Sequence, residues 1–158
     1  MNKTDVVNLI IDKLNADLAI ARTALKASHE AATHSESKAE NKYDTRGLEA
    51  AYLADGQRRR VGEIEAALAS YRNLTLQDLD GKPVVVGALV EVEQDGAVRW
   101  LFLGPDAAGS RIRCEGSEIL VISPRSPLGQ ALLGHGDDEE LEVAVAGRRQ
   151  HCVILRVC

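Results

Sequence analysis

Residues 34–47, HSESKAENKYDTRG, alternate acids with bases. Glu36, Glu40 and Asp44 stand four apart, and Lys38, Lys42 and Arg46 repeat at the same interval. On a helix, opposite charges at this spacing are neighbours that stabilise by about 0.2–0.5 kcal/mol per pair. The segment is therefore either a solvated, self-paired turn or a tip whose charges are offered to a partner. Arg58, Arg59 and Arg60 form a second charged group; a guanidinium can grip a phosphate with two parallel hydrogen bonds, and it is equally at home on a solvated helix face. A third candidate, Arg125-Ser126-Pro127, suits helix initiation, with Ser126 as N-cap and Pro127 at the first helical position. Around His29, His34, His135 and His151 no nucleophile or metal constellation stands out. Cys114, Cys152 and Cys158 show neither a CxxC pair nor a histidine at ligand spacing, so they read as reduced thiols, two of them packed in strands.

The elements that must carry the tip are two long helices. Apolar and small residues step by four and three through Val7, Ile11, Leu14, Leu18, Ala21, Leu25, Ser28 and Ala32, a heptad seam that requires a partner helix. Counting back from Tyr71 gives the complementary seam: Leu68, Ile64, Val61, Gln57, Ala54, Ala50 and Gly47. The two run in opposite directions from residues 34–47, so the pattern predicts an antiparallel coiled-coil hairpin over 1–74. Thr4 or Asp5 is the expected cap of its first helix. Both seams shrink toward the tip, from leucine and isoleucine to serine, alanine and glycine, so the arm thins. At ~1.5 Å per residue, thirty residues reach roughly 45 Å.

After Tyr71 the period becomes two. VVVGALVEVEQDG and AVRWLFLG predict a hairpin turning at Asp95-Gly96. SRIRCEG and SEILVISP add strands, LGQALLG a short helix stopped by Gly134, and LEVAVAG with HCVILRV closes the sheet around a turn at Gly147–Gln150. LTLQDLDGKP carries the punctuation of a linker at 75–83. The fold class is α+β: an N-terminal helical hairpin followed by a mostly antiparallel β-sheet domain, 84–158, with one short helix.

The chain has 158 residues and a net charge of −5, 45% hydrophobic and 27% charged. Through residue 73 acids and bases balance, and the excess acid lies beyond, with a cluster at Asp137, Asp138, Glu139, Glu140 and Glu142. Duplex DNA demands a basic stripe, which is absent here, so contact with DNA is at most indirect and a protein partner fits better. No segment approaches the ~20 apolar residues of a membrane span, and MNKTDVVNLI lacks the layout of a signal peptide. The reading is a cytoplasmic protein with no membrane association.

The segment ISPRSPLGQALLGHGDDEELEV, behind a helical hairpin, resembles the bacterial Gre transcription elongation factors. Their C-terminal domain is FKBP-like and carries I-S-x-x-S-P-x-x-x-A-L-[IL]-G, an acidic turn and a D-x-[VL]-x-V strand. Here the motif is Ile122, Ser123, Ser126, Pro127, Ala131, Leu132, Leu133 and Gly134, and the likeness extends through Val157. Over the hairpin it rests on architecture, on Glu40-Asn41 and on IEAAL at 64–68.

The resemblance implies a partner, RNA polymerase, and a role without catalysis of its own. The strand-rich domain docks, through Arg125, Ser126 and Pro127, on the rim of the polymerase channel; in the family's best-known version Asp stands where this chain has Arg125. The hairpin enters the secondary channel, where tip carboxylates assist the second Mg²⁺ of the polymerase active site in hydrolysing backtracked RNA; no cofactor is bound permanently. Arg58, Arg59 and Arg60 then face the displaced nascent RNA or the channel wall. The family tip reads D-x-x-E-N-A-[ED]-Y, and aligning Glu40-Asn41 with its E-N places Ser37 at the Asp. Glu40 remains the metal-assisting candidate, with Glu36 or Asp44 as the substitute for the missing acid. Two functions stay open: a factor that stimulates transcript cleavage, and a regulator that occupies the channel without assisting hydrolysis. The expected state is a monomer. Prolyl isomerisation, the other chemistry of an FKBP-like domain, needs an aromatic-lined pocket, and only Trp100 and Phe102 are on offer.

Overall fold

The computed structural model describes residues 1–36 and 46–158. In chain order the elements are α1 (Lys3–Glu36), α2 (Arg46–Arg72), β1 (Leu89–Gln94), β2 (Ala97–Leu103), β3 (Arg111–Cys114), β4 (Ser117–Ile122), α3 (Pro127–Leu132), β5 (Glu140–Val145) and β6 (Arg148–Val157). They form two compact units, Asp12–Ala69 and Met1–Ile11 with Ser70–Cys158.

The first unit is the helical pair. Every described seam position is shielded: Leu14, Leu18, Ala21, Ser28 and Ala32 are buried on α1, and Gly47, Ala54, Ile64 and Leu68 on α2, while Leu25, Ala50, Gln57 and Val61 are half-buried. Burial of alternating three- and four-residue steps is what a partner helix produces. Arg22 donates to the Glu65 carboxylate across the pair at 3.0 Å, with both side chains more than half exposed. A pair this wet contributes at most about 1 kcal/mol; the seam carries the stability, because burying one Leu or Ile side chain is worth about 1.5–3 kcal/mol.

The second unit holds the helix bases and the sheet. α1 begins two or three residues earlier than a cap at Thr4 or Asp5 would allow. Asn2 is the cap: its Oδ1 accepts the Thr4 N–H at 2.9 Å, and its carbonyl accepts Val6 N–H at 3.2 Å, the first bond of the helix. Asparagine serves this position as well as aspartate does.

The strand order is β3-β4-β2-β1-β6-β5. Four of the five pairings are antiparallel, but β2 and β4 run parallel, Leu101 opposite Leu120. The sheet is therefore mostly antiparallel, as the sequence predicts, with one parallel pair. The cause is topological: β3 and β4 form a hairpin of their own, and it is β4 that inserts beside β2. The expected turn at Asp95-Gly96 is present, both residues in the left-handed region, the conformation of a tight two-residue hairpin. The last turn is Ala146-Gly147, at φ 51° and 76°, and Arg148–Gln150 already belong to β6. A two-residue loop matches strand twist better than the four-residue turn expected from composition, and Ala146 accepts positive φ to provide it.

One face of the sheet presents Val90, Val92, Leu101, Leu103 and Ile154 to a core completed by Leu132 of α3. Behind the other face Phe102 stacks on Tyr71, ring centroids 6.4 Å apart. Among the described residues no helix is long and apolar enough to cross a membrane.

Candidate functional site

The tip comes first. α1 runs to Glu36 and α2 starts at Arg46; Ser37, Glu40 and Asp44 lie outside the described residues, as does the side chain of Glu36. The flanking seam positions, Ser28, Ala32 and Gly47, are small and buried, so the helices are paired by residues that let backbones approach, as the taper of the seams predicts. The donor chemistry is set by sequence: where the family motif has two carboxylates flanking two residues, this chain has a neutral hydroxyl at Ser37 and a carboxylate at Glu40. Magnesium favours anionic oxygen; Glu36, Glu40 and Asp44 are interleaved in the sequence with Lys38, Lys42 and Arg46.

The arginine run lies on exposed turns of α2. Arg58 holds Asp55 at 2.6 Å and Arg60 approaches Glu63 at 3.8 Å, both at i,i+3 spacing. Arg59 has no ion pair among the described residues. The run is thus divided: two of the three guanidinium groups pair along the helix surface.

A feature the seams did not flag stands near it. Tyr52 is 68% exposed and Leu48, one turn before, is 55% exposed. At 100° per residue both lie opposite the seam of Ala50, Ala54 and Val61. The signal was available in the sequence, as large apolar residues out of phase with the heptads.

The Ser-Pro segment belongs to the sheet unit. Ser126 is extended (φ −68°, ψ 156°), and its Oγ accepts the Gly129 N–H at 3.1 Å and donates to the Ser123 carbonyl at 2.7 Å. Pro127 occupies the first helical turn. Arg125 N donates to Ser123 Oγ at 3.1 Å, and its side chain points to solvent without an ion pair among the described residues. A Cβ on Gly129 would fall on the Ser123 carbonyl oxygen, with Ser123 C at 2.9 Å and Pro124 Cα at 3.0 Å. These contacts fix the loop and hold Arg125 outward.

The remaining candidates resolve into structural roles. Asp137 caps the β6 end, accepting Val157 N–H at 2.7 Å, and Glu139 takes both His135 Nδ1 at 2.6 Å and Gly136 N–H at 3.1 Å. His151 lies 3.4 Å from Glu142 and 3.7 Å from Glu140. The acidic cluster thus serves its own turn. Among the described residues no group of three His, Cys, Asp or Glu side chains could hold a metal ion. Trp100 borders an open cleft of about 570 Å³ with Arg99, Arg111 and Glu118, whereas Phe102 is fully buried; the two aromatics do not line one pocket. The three thiols are free, and burial pushes those of Cys114 and Cys152 up.

No protein-family profile matches the chain. Among curated proteins, the transcription elongation factor GreA of Desulfovibrio desulfuricans is 37% identical over 89 residues, 54% of this chain and 51% of that one. GreA of Nitratidesulfovibrio vulgaris is 35% identical over 99 residues, 60% of this chain and 58% of the relative. These matches span little more than half the length of the relatives. GreA of Psychromonas ingrahamii is 30% identical over 145 residues, 85% of this chain and 84% of the relative. An alignment of that extent, joined to a helical hairpin followed by a strand-rich domain, defines the class: the chain belongs to the GreA-type transcription elongation factor family. Among solved structures, GreA factor homolog 1 of Thermus thermophilus covers 94% of this chain and 94% of its own, at 20% identity and a TM-score of 0.39. A GreA/GreB factor from Nitrosomonas europaea covers 73% of this chain and 94% of its own, at 20% identity and a TM-score of 0.37.

Proposed function

We propose that this chain regulates transcription by binding RNA polymerase and placing its hairpin in the secondary channel, without stimulating transcript cleavage. The observation that carries this is Ser37 at the position of the family's tip aspartate. A two-metal hydrolysis needs its second ion supplied with extra oxygen ligands and a placed water; a serine hydroxyl among three bases is a poor source of them. In this reading residues 1–74 are the inserted arm, 75–83 a linker and 84–158 the docking domain, and Mg²⁺ stays a property of the polymerase. The exposed Arg125, presented by the fixed Ser126-Pro127 turn, is the docking contact. Arg59, with Arg58 and Arg60 beside it, faces nascent RNA or the channel wall. The protein works as a cytoplasmic monomer, and DNA is met only through the polymerase.

The second reading, cleavage stimulation, is favoured by the retained Glu40-Asn41 pair, with Glu36 or Asp44 completing the acids. One experiment separates the two: cleavage of labelled RNA in a backtracked elongation complex at limiting Mg²⁺, beside a binding assay to the same polymerase. The expected result is binding without added cleavage by the natural chain, and a gain of cleavage by Ser37→Asp. Strong cleavage by the natural chain, abolished in Glu40→Ala while binding persists, establishes the second reading instead.

A further inference from the structure

The sheet carries a group of arginines that neither the core nor the Ser-Pro turn uses. Side chains two apart on a strand share a face, so Arg99 of β2 stands on the face of the core residues Leu101 and Leu103. The register carries that face to the edge of the sheet: Leu101 lies opposite Leu120 of β4, Leu120 opposite Arg111 of β3, and Glu118 opposite Arg113. Arg99 precedes the first β2–β4 pair as Glu118 does, so Arg99 and Arg113 flank Glu118 from the two neighbouring strands. α3 packs on β5, at the far side of the sheet, and Arg99, Arg111, Arg113 and Glu118 are exposed. A cleft of about 570 Å³ opens there, lined by Arg99, Arg111, Ser117 and Glu118 over the apolar Leu101 and Leu120. The one carboxylate is engaged: Glu118 Oε1 accepts from Arg111 at 2.8 Å. Arg99 and Arg113 have no ion pair among the described residues. Three guanidinium groups against one carboxylate leave two positive charges on this face, in a chain whose total is −5. Like charges gathered on one face repel, so folding alone gives no reason to collect them.

We propose that this cleft is a binding site for a nucleoside polyphosphate, its phosphates gripped by Arg99, Arg111 and Arg113 and its nucleoside lodged against the apolar lining of Leu101 and Leu120. The volume falls within the roughly 300–1,000 Å³ of small-molecule sites, which combine apolar walls with a few convergent polar groups. A guanidinium fork matches two phosphate oxygens with parallel hydrogen bonds. Two strand spacings place the Cα atoms of Arg99 and Arg113 about 10 Å apart. Side chains of that length, reaching inward from such a base, close on a pyrophosphate group, whereas a single carboxylate is too narrow to meet both. All three arginines stand on paired strands, so their backbone is fixed before the ligand arrives and little ordering is lost on binding. The charge is confined to one cleft and does not form the stripe that a nucleic-acid strand requires. β4 leads from Ser117 at the cleft to Ile122 before the Ser-Pro turn, about 17 Å of strand. The site is therefore separate from the docking turn, and the proposal does not rest on the polymerase reading.

The test titrates the full chain with sodium pyrophosphate, ATP and adenosine by isothermal calorimetry, at low salt and without divalent cations. Emission of Trp100, which borders the cleft, is followed in parallel. Pyrophosphate binds, ATP binds more tightly, and adenosine alone gives no heat. Arg99→Ala and Arg113→Ala each weaken ATP binding roughly ten- to hundred-fold, and Arg99→Lys weakens it less, since a point charge replaces the fork. Glu118→Gln tightens it, because the one negative charge facing the ligand is gone; a merely structural role for Glu118 gives the opposite sign. Circular dichroism and urea unfolding verify that each variant keeps its fold. The proposal is overturned if neither pyrophosphate nor ATP binds at millimolar concentration, if both alanine variants bind ATP as the natural chain does, or if Glu118→Gln weakens binding. A twelve-nucleotide uridine RNA that binds more tightly than ATP, and loses affinity in the same variants, overturns it in favour of an RNA contact. Polymerase affinity stays unchanged in Arg99→Ala; its loss in that variant, with no nucleotide bound by the natural chain, overturns the proposal in favour of a protein contact.

Discussion

Gly129→Ala tests whether the Ser-Pro turn is as rigid as its contacts imply. The new methyl would fall on the Ser123 carbonyl oxygen, with two further backbone atoms at 2.9 and 3.0 Å. Since all three are main chain, no rotamer change can relieve the clash. α3 must move away, and the Ser126 Oγ contacts to Gly129 N and Ser123 O go with it. Overpacking costs about 1–3 kcal/mol and a lost cap about 1 kcal/mol, while alanine returns up to about 1 kcal/mol in helix propensity. The net loss is about 1–3 kcal/mol. Gly62→Ala, on α2, is the control: nothing lies within 4 Å of its added Cβ, so propensity alone acts and the helix gains about 0.5–1 kcal/mol. Urea unfolding is followed by fluorescence of Trp100, the single tryptophan and a β2 residue, and by circular dichroism for the helices. Gly129→Ala lowers the fluorescence midpoint by on the order of 1 M, and Gly62→Ala raises the helical one. A Gly129→Ala midpoint at or above that of the natural chain would refute the account of the turn, and with it the argument that Arg125 is presented by a fixed loop.

Two further outcomes follow from the sheet unit. Burial, and secondly the nearby Asp106, raise the Tyr71 phenol above its ordinary value of about 10; the folded protein therefore holds this proton more tightly than the unfolded chain. Its contribution to stability is complete below pH 10 and declines as pH rises toward the folded value; unfolding curves between pH 8 and 11 should steepen in their loss for the natural chain and flatten for Tyr71→Phe. That variant also loses the bond to the Asp106 carbonyl at 2.8 Å, about 1 kcal/mol at neutral pH. Thiol titration provides the other check: Cys158 is half-buried, whereas Cys114 and Cys152 are buried with raised thiols, and the thiolate is the reactive form. One cysteine should react in the native protein and the other two only on unfolding; fast reaction of all three contradicts the packing of β3 and β6.

Much of this protein is legible along the chain because its stabilising contacts are periodic. A heptad seam can be read off residue by residue, and not one of its described positions on either helix is exposed. Ser126 and Pro127 were readable for a similar reason: capping is a local matter between a side chain and the next three amides. The sequence alone also determined the chemistry of the tip, since Ser37 is not a carboxylate in any fold. Tertiary structure decided the rest. The sheet took a parallel pair between β2 and β4, and the last hairpin closed at Ala146-Gly147; each depends on which strands compete for the same backbone groups, information that no window of residues contains. Sequence could not divide the arginine run either, because Arg58, Arg59 and Arg60 are chemically alike. The helix surface separates them by placing Asp55 and Glu63 within reach of Arg58 and Arg60.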